Sequence, residues 1–531
     1  MSGYYDDLSA DESVGGDSSD SEIDETDIQA HIRSMVCSTP SPQKLLAPTV
    51  AQKRPRDRET ISRVIIHLDI DCFYCQCEKL DRNLADDRPF AIGQKHIIVT
   101  CNYAARKMGV GKLESRESAI RKCPSLLILE GSDLERYRVY GRNVYMAFRR
   151  ACQQLGGKKM AVCKGSMDEM MVDLTHVDFL ANTRENGNSL DQVYVYGSRS
   201  GEATTLTEDQ TGATATVVYD KTASRDTKET RLVRKQYFEA ASMALAIQNQ
   251  ILEQTGFTTT LGVSNSPMLA KIASGLRKPA TVNILYPWDA TELLAGMPLR
   301  KVSGFGRRMM YALHPSLESY YGSLIPTARS KSSPCWTCSD LLRIPVEEVA
   351  SCLCTVNGLE EKASHVALEL LEKCKGIDSS KVIDDDGGLS KTVSVENSFR
   401  RGTVRTLNDL NHELLSLCKR LPRLLDERLN CSPFPKRAFP RTLRVTVRFV
   451  SSLRQQDDKA HSHTRSKQTA LDGYAFLCKQ NNTAQAAFLI QNASPMVKTL
   501  VQGSTGRINV TRMNLAVCNF SDLEDLSTPP T

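Results

Sequence analysis

The run Val64-Ile65-Ile66-His67-Leu68-Asp69-Ile70-Asp71 constrains the fold more than any other segment of the chain. It reads as a short apolar strand that ends in acids. Successive side chains on a strand alternate between faces, so Asp69 and Asp71 share one face at the rim of a sheet. A buried strand has no use for ionised carboxylates unless they are paired or bind a cation. A second acidic pair, Asp168-Glu169, stands in SMDEMMVDL (166–174), which reads as a hairpin turn entering a strand. Adjacent residues on an ideal strand point oppositely, so a turn must re-aim one of the pair if both face the same site. Asp69, Asp168 and Glu169, if convergent, make a hard-oxygen site suited to Mg2+ or Mn2+ rather than Zn2+. Two such ions about 3.5–4 Å apart can clamp a phosphoryl transfer. Taken alone, the spacing also fits solvated acids at strand ends.

The rest of the chain is read around this strand. Residues 1–60 are Ser, Gly, Asp and Pro rich with little apolar periodicity, and read as a disordered acidic tail. They end near a basic cluster, Lys53-Arg54-Pro55-Arg56 with Arg58, of the kind that serves as a nuclear localisation signal. A helix over 72–85, a strand over 96–101 and a mainly helical stretch over 102–150 follow. Residues 180–230 are polar and read as mostly an insertion, with one β-like run near Val193–Val195. A helix (235–255), a strand (258–263) and a second helix (267–277) resume the core. Strands mixed with helices in this order define an α+β sheet domain. Residues 291–380 read as helical, interrupted by a loop near 314–336. The acidic and glycine turn Asp384-Asp385-Asp386-Gly387-Gly388 reads as a linker. Beyond it, Leu443-Arg444-Val445-Thr446-Val447-Arg448-Phe449 and Ile508 to Phe520 alternate strictly, the mark of a half-buried sheet with a basic open face.

Charge follows this division. Residues 1–30 hold ten acids and no Lys or Arg, whereas 390–520 hold 21 Lys+Arg against 8 Asp+Glu, so the net +6 hides an acidic tail and a basic C-terminal block. That block suits a polyanion partner, although charge by itself equally fits a solvated basic face. No apolar run reaches the ~18 residues of a membrane span, and the acidic N-terminus is not a secretory signal, so no membrane partner is expected. The 17 Cys therefore read as reduced thiols, and Cys335-x-x-Cys338 with Cys352-x-Cys354 as a poor zinc pattern.

Four segments, HLDIDCFYCQCE (67–78), TCNYAARKMGV (100–110), SMDEMMVDLT (166–175) and LGVSNSPMLAKIASGLRKPATVNIL (261–285), occur in an order that resembles the Y-family, or translesion, DNA polymerases. The likeness runs over most of 62–313 apart from 176–230, and more weakly over 389–520. QKHIIVTCNYAARKMGVGKL and KCPSLLILEGSDLERYR (122–138) look most like the iota branch of that family. The resemblance implies a right-hand architecture. Palm and fingers would occupy 61–290 (fingers about 90–150, insertion about 180–230), a helical thumb with a helix-hairpin-helix 291–383, an α/β little finger 389–521 and a tail 522–531.

The resemblance also assigns roles. Asp69, Asp168 and Glu169 would be catalytic metal ligands for two Mg2+ ions, with Mn2+ as an alternative, and the Ile70 carbonyl would complete one shell. Tyr74 would be a steric gate against ribonucleotides. Tyr103, Arg106 and Lys278 would hold the triphosphate, Arg as a planar fork and Lys as a point charge. Gln94, Lys95 and Ile97 would line the template base, in a pocket narrowed so as to favour a syn purine and Hoogsteen pairing. Gly304 and Gly306, in Lys301-Val302-Ser303-Gly304-Phe305-Gly306, would let backbone amides approach DNA phosphates, though Ser303 replaces the family's usual Pro. Lys391, Arg444 and Arg448 would contact the duplex. The implied function is low-fidelity, template-directed translesion synthesis in the nucleus, with primer-template DNA and dNTP as partners. A sliding clamp and other replication factors are further candidate partners, although Gln468-Thr469-Ala470-Leu471 with Tyr474 lacks the aromatic pair of a clamp box. The rival readings are a deoxycytidyl transferase of the same family, a nucleotidyl cyclase and a DNA-binding scaffold without catalysis.

Overall fold

The computed structural model describes residues 63–132, 134–156, 160–177, 193–196, 204–207, 214–217, 227–321, 336–356, 358–385, 392–400, 402–430, 438–450, 462–479, 481–502 and 508–522. The expected tail 1–60, its basic cluster, most of the terminal tail 522–531 and Lys391 lie outside the described residues. The chain divides into two compact units, Met1–Asp385 and Asp386–Thr531. Among the described residues, no helix is long and apolar enough to cross a membrane.

In chain order, the strands of the first unit are β1 (Ile65–Ile70), β2 (Phe90–Gln94), β3 (Ile97–Cys101), β4 (Leu127–Glu130), β5 (Ala161–Lys164), β6 (Glu169–Asp173), β7 (Val193–Tyr196), β8 (Thr204–Thr207), β9 (Thr214–Val217), β10 (Thr259–Ser264) and β11 (Val282–Leu285). Six of them form one sheet in the order β5-β6-β1-β10-β11-β7. β1 lies inside it, antiparallel to both β6 and β10. The period of two then sorts its side chains. Ile66, Leu68 and Ile70 enter a core shared with the helices Glu135–Gly156 and Lys228–Thr255. Ile65, His67 and Asp69 take the opposite face, where Ile65 packs on Ala270 of the helix Pro267–Ser274. That helix lies directly on β10 because residue 262 is glycine. A Cβ there would stand 2.1 Å from the Ala270 carbonyl oxygen and 2.3 Å from the Ser274 nitrogen. Both are backbone atoms, so Gly262→Ala must push the helix off the sheet. We expect a loss of about 1–3 kcal/mol, read as a lower urea midpoint for the first unit.

The structure revises several boundaries. The β-like run expected near Val193–Val195 is β7, which pairs in parallel with β11 at the edge of the main sheet. The helix expected from 235 already begins at Lys228, capped by Thr227. Within 102–150, β4 interrupts the helices, and β2, β3 and β4 form a separate sheet in the order β3-β2-β4. The helix Pro287–Ala295 straddles the expected boundary at 290/291, and its Ala290, Leu293 and Leu294 share a core with Met268 and Leu269. The helix Arg307–Tyr321 runs through Pro315 into the expected loop, and 322–335 lie outside the described residues. Pro315 forfeits one helical bond, but the buried Leu313 and Leu317 on either side hold the turn in the core. Asp384 and Asp385 are not free linker acids. Arg149 pairs with both, at 2.9 Å and 3.3 Å, and the amides of Val162 and Lys164 on the outer strand β5 donate to them. The local sequence is turn-like, but the buried guanidinium of Arg149 needs a carboxylate, and that decides their place.

The second unit is one sheet in the order β12-β15-β13-β14, formed by β12 (Thr392–Ser398), β13 (Ala438–Val450), β14 (Ser462–Ala470) and β15 (Val510–Asp522). Leu443, Val445 and Val447 pack with Leu414, Leu421 and Val497 from the helices Leu407–Asn430 and Asn482–Val501. Arg444 lies half-buried on the alternate face, opposite Gln468 and Ala516. Arg448 is less open than expected, being only 8 % exposed. β13 keeps its alternation here, with Arg448 opposite Thr464 of β14, and the extra residue of the irregularity at Arg448/Phe449 falls on β15, so Arg448 stays on the face of Arg444 but is covered there.

Candidate active site

Asp69 and Glu169 are register partners across β1 and β6. Directly opposed residues of an antiparallel pair bring their Cβ atoms about 4.5–5.5 Å apart, on the same face. Asp168 precedes β6 in a tight turn. Its backbone carbonyl accepts from the Ile70 amide at 2.9 Å, and its carboxylate accepts from the Ser166 hydroxyl at 2.5 Å. The Ser166 oxygen in turn accepts from the amides of Asp168 and Glu169, at 3.3 Å and 3.1 Å. This turn is the device that frees two adjacent acids from strict alternation. It brings Asp69, Ile70, Asp168 and Glu169 to one rim.

Lysines meet the carboxylates there. Lys278 Nζ donates to Asp69 Oδ1 and lies 4.0 Å from Asp71 Oδ1. Lys271 Nζ donates to Glu169 Oε2 at 2.9 Å. The fully buried His67 places Nε2 at 3.8 Å from the same oxygen and shares a 2.8 Å hydrogen bond through Nδ1 with Ser274. The two acids answer burial differently. Burial pushes the Asp69 carboxyl up to about 7; the charge of Lys278 opposes that rise, while the charges of Asp168 and Glu169 add to it. Burial presses Glu169 upward as well, but His67 and Lys271 together outweigh it and hold its carboxyl at about 2. Burial, followed by the charge of Lys278, lowers Lys112 to about 7, with Asp168 and Glu169 opposing. Burial thus raises Asp69, whereas the cationic neighbours of Glu169 more than offset its burial.

Divalent cations fit this donor set. Among the described residues, no three His, Cys, Asp or Glu side chains form a ready cage, and a lysine sits on one oxygen each of Asp69 and Glu169. The donors are nonetheless hard carboxylate oxygens at a rim where negative charge is crowded, the chemistry of Mg2+ or Mn2+.

Asp71 is turned to another task. Its oxygens accept from the Thr260 hydroxyl at 2.7 Å and the Ala280 amide at 2.9 Å, tying the Lys278–Ala280 segment to β1. Tyr103 reaches the same carboxylate at 3.5 Å, and the Arg106 guanidinium lies 4.9 Å from the centre of the Tyr103 ring. Tyr103 and Lys278 are therefore brought together around Asp71, with Arg106 stacked on Tyr103. Tyr74 is half-buried, with its ring 5.4 Å from that of Phe73 and 4.6 Å from that of Tyr137. Gln94, Lys95 and Ile97 form the β2–β3 turn, Lys95 in the left-handed region at φ 54°. Gly304 has φ 102°, and Gly306 precedes the helix Arg307–Tyr321. Arg444 and Arg448 belong to the second unit. Sequence reasoning passed over Lys271, His67 and Lys112. The signal for Lys271 is its place as the one cation of an otherwise apolar helix, PMLAKIAS.

Acids opposed across β1 and β6, each answered by a lysine, lie in the first unit, and a separate sheet domain follows in the chain. Residues 68–275 match the impB/mucB/samB family and 390–527 match that family's C-terminal domain, so the chain belongs to this family, the Y-family of translesion DNA polymerases. Among its relatives is the DNA polymerase iota of Mus musculus, 29% identical over 261 residues, which are 48% of this chain and 32% of the relative. The DNA polymerase iota of Homo sapiens is 32% identical over 251 residues, 46% of this chain and 29% of the relative. A DNA polymerase IV of Ralstonia nicotianae is 24% identical over 363 residues, 68% of this chain and 75% of the relative. The chain spans about a third of the length of the two iota relatives.

Proposed function

We propose that the chain is a template-directed, low-fidelity DNA polymerase for translesion synthesis, joining a dNTP to a primer 3′-hydroxyl. The observation that carries the proposal is the opposition of Asp69 and Glu169 across β1 and β6, with Asp168 held beside them in the Ser166 turn. In this reading the six-stranded sheet is the palm, the β3-β2-β4 sheet with its helices the fingers, the helices of 287–374 the thumb and the second unit the little finger. Asp69, Asp168, Glu169 and the Ile70 carbonyl would hold two Mg2+ or Mn2+ ions, which when bound acidify the primer hydroxyl and offset charge on the reacting phosphate. The protein's own share is positioning. Lys278, Arg106 and Tyr103 bind and orient the triphosphate, Tyr74 packs where a ribose 2′-hydroxyl would sit, and Gln94, Lys95 and Ile97 bound the template base. The backbone around Gly304 and Gly306, with Lys391, Arg444 and Arg448, would meet duplex phosphates. We place the protein in the nucleus, with primer-template DNA and dNTP as partners and a sliding clamp as a further candidate.

A primer-extension assay with the full chain tests this. Extension is expected with dNTP and Mg2+ or Mn2+, stopping under chelation and resuming when the ion is restored. Robust incorporation opposite template A with error-prone incorporation opposite T is the pattern expected of the iota-like reading. Failure to extend any primer under either ion overturns the proposal.

A further inference from the structure

Gly131 stands where the β2–β3 turn, the strand β4 and the aromatic cluster around Tyr74 meet. Its N–H donates to the Gly93 carbonyl at 3.0 Å, one step beyond the parallel pairing of Gly93 with Glu130. Its own carbonyl accepts from Gln94 Nε2 at 2.6 Å. One residue therefore holds both the main chain before Gln94 and the amide group of its side chain.

The reason for glycine here is space. Its backbone lies outside the left-handed region, but a Cβ would stand 2.2 Å from Ile92 Cγ2 and 3.4 Å from the Tyr137 hydroxyl. Neither neighbour has room to withdraw. Ile92 is fully buried and belongs to a cluster against which Tyr74 and Tyr103 pack. Tyr137 is fully buried, lies against the Tyr74 ring and donates to Glu78 at 2.6 Å. The guanidinium of Arg116, bonded to Glu130 at 2.8 Å, closes over Gly93 so tightly that a Cβ there would lie within 2.7–2.9 Å of its atoms. A shift of Gly131 would thus be taken up largely by its own backbone, carrying its carbonyl away from Gln94.

We infer that Gly131 is a positioning residue for template-base selectivity, pinning the Gln94 side chain in one orientation through its carbonyl oxygen. This rests on the reading of Gln94 as a wall of the template-base pocket. A freed Gln94 samples several rotamers, so the pocket wall is blurred and discrimination among template bases weakens. The relevant quantity is a ratio of efficiencies opposite different template bases, because a general loss of stability lowers all of them together.

The test compares kcat/KM for the matching dNTP opposite template A and template T, using the full chain on one primer. Gln94→Ala is expected to change the A-to-T ratio about tenfold, and Gly131→Ala to change it in the same direction by at least about threefold. Gln94→Met, which keeps bulk but loses the donor, should follow Gln94→Ala, and it remains informative if Gly131→Ala does not fold. Adding Ile92→Ala to Gly131→Ala removes the clashing methyl and should return the ratio toward the parent value. If Gln94→Ala moves the ratio while Gly131→Ala and Gln94→Met leave it within about twofold, the pin is overturned and the pocket reading stands. If no Gln94 variant moves it, the pocket reading falls, and the inference with it.

Discussion

Replacing Glu169 by Gln, or Asp69 by Asn, should reduce primer extension by at least about 10²–10³-fold, with DNA binding retained. Both changes keep shape and delete one negative charge. The amide oxygen introduced by Glu169→Gln would still accept a hydrogen bond from Lys271, and that of Asp69→Asn one from Lys278, so local geometry survives. What disappears is the charge that, in the proposed reading, makes this rim a cation site. Asp168→Asn should act similarly, because its turn is held by the Ser166 hydroxyl and the Ile70 amide rather than by its own charge. Duplex binding, carried in this reading largely by the second unit, is expected to persist in a gel-shift assay at moderate salt. Circular dichroism should match that of the parent. Extension at the parent rate by the Glu169→Gln and Asp69→Asn proteins would remove the two-metal reading.

The second large effect concerns the sugar. Tyr74→Ala should raise ribonucleotide relative to deoxyribonucleotide incorporation by about 10²-fold. The Tyr74 ring is fixed from behind by Tyr137, which is itself tied to the buried Glu78, and from the side by Phe73. A ring so backed cannot retreat from an added hydroxyl, so the clash falls in full on the incoming ribonucleotide. Removing the ring opens the space in front of Tyr137, whose ring centre lies 4.6 Å from that of Tyr74, and the hydroxyl is then expected to fit. Tyr74→Phe keeps the wall and should leave discrimination within about threefold of the parent. An unchanged ratio for Tyr74→Ala, measured with rCTP and dCTP opposite template G, would show that the gate lies elsewhere.

Different parts of the site were legible to different degrees. Asp69 was readable because an acid inside an apolar strand is costly, and Glu169 because the next strand repeats the anomaly. The pairing of the two needed the β1–β6 register, which no local pattern contains. Lys271 and His67 were hidden for a related reason. A lysine on an apolar helix and a histidine on an apolar strand look like incidental polar residues until Gly262 lets that helix lie on the sheet and sets both against Glu169. The strands β2, β4 and β11 are four or five residues each, too short for periodicity to separate from helix or loop. Asp384 and Asp385 read as a linker because acids and glycines normally do, whereas a buried Arg149 more than two hundred residues away claims them. Arg448 keeps the face that its alternation assigns, but that face is covered at its position, and burial is not written in the period of a strand.

By itself, the sequence determined the chemistry available to this protein. It set an acidic strand end, a second acidic pair and a basic alternating sheet, since residue type and short-range period carry that information. Only the tertiary structure decided which of these groups meet. The Asp69–Glu169 opposition, the lysines that answer each acid and the glycine that holds Gln94 all depend on contacts between residues tens to hundreds apart in the chain. Such contacts follow from how whole elements pack, and packing is a property of the assembled core rather than of any segment within it.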